Sequence, residues 1–245
     1  MATPTKLGAA VLEITEKLSR SVGRMTFSPP TEAVYNPLGY AGAMHTAYVT
    51  RFCRRKKRVV FLGMNPGPWG MAQTGVPFGE IATVRDWMKL DANVTKPKKE
   101  HPKRPIEGLA CQRSEVSGAR LWGLFAARFP TADAFFKEHY VANYCPLVFM
   151  EASGKNRTPD KLPKEEREPL ERACDKHLVD LIDLLQPEIV VGVGKFAEQK
   201  AMKVIGEGGP RVTTMLHPSP ASPIANRGWA PQATAQLIER GVWDA

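Results

Sequence analysis

The sequence predicts an α/β fold in which a parallel sheet is covered on both faces by helices. Four short, β-rich apolar runs are nearly unbroken: Val59 to Met64, Tyr140 to Tyr144, Glu188 to Val193 and Val212 to Leu216. Strands buried on both faces need such runs. Helical patterns lie between them, and strands alternating with helices build parallel sheets. The 245 residues, 43% of them apolar, suit one domain spanning 1–245 with a substantial core.

The elements follow in order. Leu7, Val11, Ile14 and Leu18 recur every three or four residues and mark an amino-terminal helix. Leu121, Trp122, Phe125 and Phe129 mark another, with Ser117 as its expected cap. Leu170, Cys174, Leu178, Leu181 and Leu185 mark a third, stopped at Pro187. Pro231 in a first turn and Gly241 past the end bracket the last. After the third strand, Gly192, Gly194 and Ala197 spell the GxGxxA of dinucleotide-binding proteins. That motif expects an acid at the end of the following strand, which here ends in Met215, Leu216 and His217, and it normally opens the fold rather than coming third. Nicotinamide binding is therefore set aside, and the glycines are assigned to close helix-on-strand packing. Gly194 and Lys195 do not belong to a phosphate loop either, because Ile189 replaces its first glycine and Phe196 its Ser or Thr.

Composition narrows the function. No apolar run reaches the length of a membrane span, and the amino terminus lacks the order of a secretory signal. The expectation is an intracellular protein, in the cytoplasm if the source is bacterial and in the nucleus if eukaryotic. Cys53, Cys111, Cys145 and Cys174 form no CxxC and read as reduced, mostly buried thiols; no metal or cofactor is implied. Basic residues number 34 against 25 acids, a formal +9 concentrated in RFCRRKKR (51–58) and KPKKEHPKR (96–104). Such a balance suits a polyanionic partner, but two solvated surface segments explain it equally well.

Ligands of open parallel sheets collect beyond the carboxyl ends of the strands. Asn65 follows the first run, Asn143 ends the second, Gly194 and Lys195 follow the third, and His217 follows the fourth, a placement that predicts one shared site. The loop after the first run, GMNPGPWGMAQTGVPFGE (63–80), combines Pro and Gly with Asn65, Trp69, Met71, Gln73 and Phe78. That inventory suits a flat ring with polar edges. Ser219 lies two residues after His217, but no carboxylate completes a triad, and Pro218 and Pro220 make HPSP a rigid loop.

Taken together, GMNPGPWGMAQTGVPFGE, EHPKRPIEGL, EVSGARLWG, NYCPLVF with SGKNRTP, VVGVGKFAEQ and HPSPASPIANRGW resemble the single-strand-selective monofunctional uracil-DNA glycosylases, in the same order from about Phe61 to Trp229. The resemblance implies a three-layer α/β/α sandwich with a four-stranded parallel sheet. It implies a monomer that needs no cofactor and hydrolyses the N-glycosidic bond of uracil and C5-modified uracils, such as 5-hydroxymethyluracil, in single- and double-stranded DNA. The product is an abasic site for base excision repair.

By the same resemblance Phe78 stacks on the extruded pyrimidine, Asn143 reads its edge, and Gly67 leaves room beside C5. Met64 and Met71 line the pocket, His217 donates to O2 of the departing base, and Asn65 positions water. Ser117, Gly118 and Arg120 of EVSGAR, with Pro218, Ser219, Pro220 and Ala221 of HPSPA, are implied to meet DNA. The chain departs from the family at Ala221, where animal members carry an arginine that fills the gap left by the flipped base. Weaker handling of duplex DNA is the expectation, with wedging left to Pro220. A nucleic-acid- or nucleoside-binding module that kept the pocket without turnover is the alternative; the presence of both Asn65 and His217 favours the enzyme.

Overall fold

The computed structural model describes residues 3–244, in the order α1 (Lys6–Val22), β1 (Thr31–Tyr35), α2 (Pro37–Tyr40), α3 (Gly42–Phe52), β2 (Val59–Gly63), α4 (Met71–Thr74), α5 (Val116–Arg128), α6 (Ala132–Phe136), β3 (His139–Asn143), β4 (Val148–Glu151), β5 (Asn156–Arg157), α7 (Lys164–Leu185), β6 (Ile189–Val193), α8 (Lys195–Ile205), β7 (Arg211–Met215) and α9 (Trp229–Glu239). Four strands form a parallel sheet in the order β3-β2-β6-β7. The central pair, β2 and β6, is buried at every position, which is why these segments read as unbroken apolar runs. Helices cover both faces: α1 packs on α3 and α7, α7 on α8, and α5 on α9. This is the α/β/α sandwich expected from the sequence.

Gly192 lets α8 approach β6 closely, because a side chain there would strike the backbone of Glu198 in α8. The order of strands reverses between β2 and β6, where parallel sheets open a crevice at their carboxyl ends. A second, antiparallel sheet, β1-β4-β5, stands beside the first and is absent from the sequence reading.

One expected cap is corrected. Helix α5 starts at Val116 with Glu115 as its N-cap residue, so Ser117 lies within the first turn rather than capping it. The two basic runs also separate. RFCRRKKR closes α3 and leads into the amino end of β2, the pole opposite the crevice. There the Lys57 ammonium is buried and donates to the carbonyls of Phe52 (2.6 Å) and Phe136. Arg51 pairs with Asp133 (3.0 Å) and Arg58 with Glu138 (3.3 Å). Much of this run is spent on tying α3, α6 and β2 together. Burial brings the Lys57 ammonium down to about 8.

Candidate active site

At the end of β2, Gly63 sits in register with Asn143 of β3. A side chain on Gly63 would collide with both the Asn143 Oδ1 and the Phe78 ring, so the glycine lets an amide and an aromatic face approach one spot. Phe78 has φ of 54°, a left-handed conformation costly for a non-glycine residue and characteristic of functional sites. The strain is held from several sides. The Trp122 indole N–H donates to the Pro77 carbonyl (3.3 Å), the Gly79 N–H to the Val76 carbonyl (2.8 Å), and the Thr74 hydroxyl to the Gly79 carbonyl (3.0 Å). Gly118 of α5 is buried against the Phe78 carbonyl, which makes it a spacer for helix approach.

Asn143 donates through Nδ2 to the Met71 sulfur (3.3 Å), while its Oδ1 is buried and has no hydrogen-bond partner. Beside the Phe78 ring, this oxygen is free to accept from a donor outside the chain. Met71, Pro77 and Asn143 line a cavity of about 30 Å³ that reaches Val11 of α1 and His177 of α7.

His217 follows β7, its ring centroid 6.3 Å from that of Phe78. The Ser219 N–H donates to His217 Nδ1 (3.0 Å), which leaves the proton of the neutral ring on Nε2. Burial brings the imidazole down to about 4, so the ring is neutral at physiological pH and presents an N–H donor. Gly194, with φ of 90°, packs its α-carbon against the ring, where a Cβ would stand 3.0 Å from that of His217. The strand end is anchored by the Leu216 N–H on Gln236 (2.7 Å) and the Trp229 indole on the Leu216 carbonyl (2.8 Å). Asn65 donates through Nδ2 to the carbonyls of Leu147 (3.1 Å) and Pro66 (3.4 Å), leaving Oδ1 as an acceptor. Met64, half-buried, accepts through its carbonyl from the Cys145 N–H (2.9 Å).

The rim is stitched by Arg120. Its guanidinium donates to the Pro218 carbonyl (3.2 Å) and to Asn226 Oδ1 (2.9 Å), and Asn226 in turn donates to the Pro220 carbonyl (2.8 Å). The Ala221 N–H donates to the Ser219 hydroxyl (3.1 Å), which places Ala221 exposed at the tip of the loop. Pro218 is buried beneath it, and Ser117 and Ser219 are half-buried.

Two residues of the 63–80 loop differ from their expected use. Gln73 is buried and ties the loop to the 100–107 segment, donating to the carbonyls of Pro68 (3.2 Å) and Pro105 (2.9 Å) and accepting from the Glu107 N–H (2.8 Å). Trp69 carries the guanidinium carbons of Arg104 and Arg113 at 5.1 and 4.8 Å from its ring centroid. Sequence reasoning also missed Glu115, whose carboxylate lies against the α-carbons of Gly67 and Gly70. Its Oε2 is buried without a partner. Burial, followed by the Glu80 charge, pushes this carboxyl up to about 7.

All four cysteines are free and buried. Among the described residues no group of three or more His, Cys, Asp or Glu side chains is placed to hold a metal, and no helix is long and apolar enough to cross a membrane.

Comparison with known proteins gives the family. The sequence profile described as "Uracil DNA glycosylase superfamily" matches residues 50–237. The single-strand selective monofunctional uracil-DNA glycosylase of Rattus norvegicus is 47% identical over 238 residues, covering 96% of this chain and 86% of the rat protein. The Bos taurus protein of the same name is 47% identical over 242 residues, 98% of this chain and 89% of its own length. In fold, the chain resembles the crystal structure of wild-type Pedobacter heparinus SMUG2, with a TM-score of 0.66, 18% identity, and coverage of 94% of this chain and 97% of that one.

Proposed function

The chain belongs to the uracil DNA glycosylase superfamily, and from that membership we propose that it is a single-strand-selective monofunctional uracil-DNA glycosylase, acting as a monomeric single domain on DNA inside the cell. It releases uracil and C5-modified uracils such as 5-hydroxymethyluracil and leaves an abasic site. The observation that carries the reading is the Asn143 Oδ1, buried and without a partner beside the strained Phe78. Uracil offers N3–H to that oxygen and O4 to the Nδ2 of the same amide, while its face lies on Phe78. Cytosine presents the opposite pattern and would leave two buried groups unpaired. The space a Gly67 side chain would take is filled by the Glu115 carboxyl, so clearance at the C5 edge falls to the backbone of that loop, and Met64 and Met71 complete the pocket wall.

Cleavage breaks the C1′–N1 bond, with both electrons leaving on the base. The resulting anion carries charge on O2, where the His217 Nε2–H donates. A neutral imidazole serves this purpose because the bond it offers strengthens as charge develops. Asn65 Oδ1 accepts from the water that attacks C1′. An amide is too weak a base to remove the water's proton early, so departure of the base accounts for most of the barrier reduction. No lysine attacks C1′, and the product is an intact abasic site.

The test uses oligonucleotides bearing a single uracil, with alkali to reveal abasic sites. Wild-type protein should nick the strand only after alkali and give no borohydride-trapped adduct. Asn65→Ala and His217→Leu should each lose about 100- to 1000-fold in rate, the range for removing one such group. An unchanged rate in either variant removes its assigned role. Absence of base release by the wild type leaves the alternative of a binding module.

A further inference from the structure

The basic run 96–104 and Trp69 are not used by the chemistry above, and the fold brings them together. Trp69 is four residues beyond Asn65, half-exposed, with Arg104 and Arg113 over its ring at 5.1 and 4.8 Å. Lys103 and Glu107 complete the charged lining of an open groove of about 510 Å³, three cations against one acid. The groove walls are continuous with the catalytic loop. Gln73 fastens the 100–107 segment to that loop, and Arg113 precedes Glu115, which underlies Gly67 and Gly70.

We propose that this groove holds an unpaired nucleotide next to the target, its base laid on the layered stack that Trp69 forms with the Arg104 and Arg113 guanidinium planes, and its phosphate met by the edges of those guanidinium groups and by Lys103. The inference rests on the base-excision reading of the neighbouring site. Three features select single-stranded DNA as occupant. An indole and two guanidinium planes form a stacking platform that accepts any base. The excess of cations matches phosphate. The base must be splayed from its neighbours to reach this stack, and in a duplex it is paired and stacked. The groove therefore acts on single strands and is idle on intact duplexes.

The experiment measures kcat/KM for Trp69→Ala, Trp69→Phe and Arg104→Ala/Arg113→Ala against three uracil substrates: a 20-nucleotide single strand, the same strand in a duplex, and a trinucleotide with central uracil. Nested single strands shortened from either end locate the side of the target that the groove serves. Trp69→Ala should lose about tenfold on the long single strand, the worth of one stacked base, with Trp69→Phe restoring most of it. Less than twofold should be lost on the duplex. In the nested series, shortening one end should abolish the difference between wild type and Trp69→Ala. Binding of a uracil-free single strand, read by fluorescence anisotropy, should weaken in the same variants; this arm needs no turnover, so it separates failure of the groove from failure of the base-excision reading. Equal losses on all three substrates would show that Trp69 merely supports the catalytic loop. That result, or no loss on the single strand, overturns the proposal.

Discussion

Replacing Glu115 with Gln isolates a carboxyl that the fold holds against the loop carrying Asn65 and Phe78. Burial and the nearby Glu80 charge push it from its ordinary 4.5 up to about 7, so the folded protein binds this proton more tightly than the unfolded chain. Between those two values the folded state holds more protons, and stability therefore falls as pH rises. At about 1.36 kcal/mol per pH unit, the full penalty approaches about 3 kcal/mol once pH is above 7. Most of it, about 2 kcal/mol, develops between pH 5 and pH 8. Glu115→Gln carries no such proton. In urea unfolding at pH 5, 6.5 and 8, the stability difference, variant minus wild type, should grow in the variant's favour by about 2 kcal/mol across that range. A fixed offset from the unpaired amide is allowed, because only the change with pH is diagnostic. A difference that stays constant from pH 5 to pH 8 would falsify the claim that the carboxyl is desolvated beneath Gly67 and Gly70.

Two more outcomes follow from the site. Because His217 is held neutral down to about pH 4, the rate should show no limb near 6.5 from this ring. Any limb near neutrality should vanish in Glu115→Gln, and one that survives there would mean that His217 titrates and is not the neutral donor. Ala221 is exposed at the tip of a loop braced by Arg120, so Ala221→Arg should leave folding unchanged and tighten binding to an abasic-site duplex about fivefold or more, the worth of about 1 kcal/mol from a charge-assisted contact. Equal affinity of the two proteins, measured by titration at fixed salt, removes the loop tip from the account of duplex handling.

The parallel sheet was legible because its strands are buried on both faces, and burial writes itself into sequence as unbroken runs such as Val59–Gly63 and Ile189–Val193. The antiparallel sheet was not. Its strand Thr31–Tyr35 pairs with Val148–Glu151, more than a hundred residues away, and Asn156–Arg157 is two residues long. Nothing local distinguishes such segments from loop. The strand-end polar residues Asn65, Asn143 and His217 could be read because parallel topology fixes where they must point. Glu115 and the cluster of Trp69 with Arg104 and Arg113 could not, since each depends on loops distant in sequence that only the tertiary fold brings together. Even the start of α5 was displaced by the tertiary fold: packing of Glu115 under Gly67 and Gly70 sets the helix boundary two residues before the serine that local propensity favours.

The preference for single strands proposed above needs an energetic source, and two separate parts of the chain would supply one in the same direction. Extruding a base from a duplex costs a few kcal/mol, which an enzyme recovers by filling the gap or by gripping the distorted strand. At the loop tip Ala221 presents one methyl group, too short to fill the space of a base, so little of that cost is returned. The Trp69 groove acts oppositely on the two substrates, because its stacking platform is reached only by a base that has already left its neighbours. The duplex thus meets the full extrusion cost without the groove, and the single strand meets a small cost with it. On this proposal selectivity resides in residues that never touch the uracil, and the proposed pocket of Phe78, Asn143, Asn65 and His217 can treat a base from either source alike.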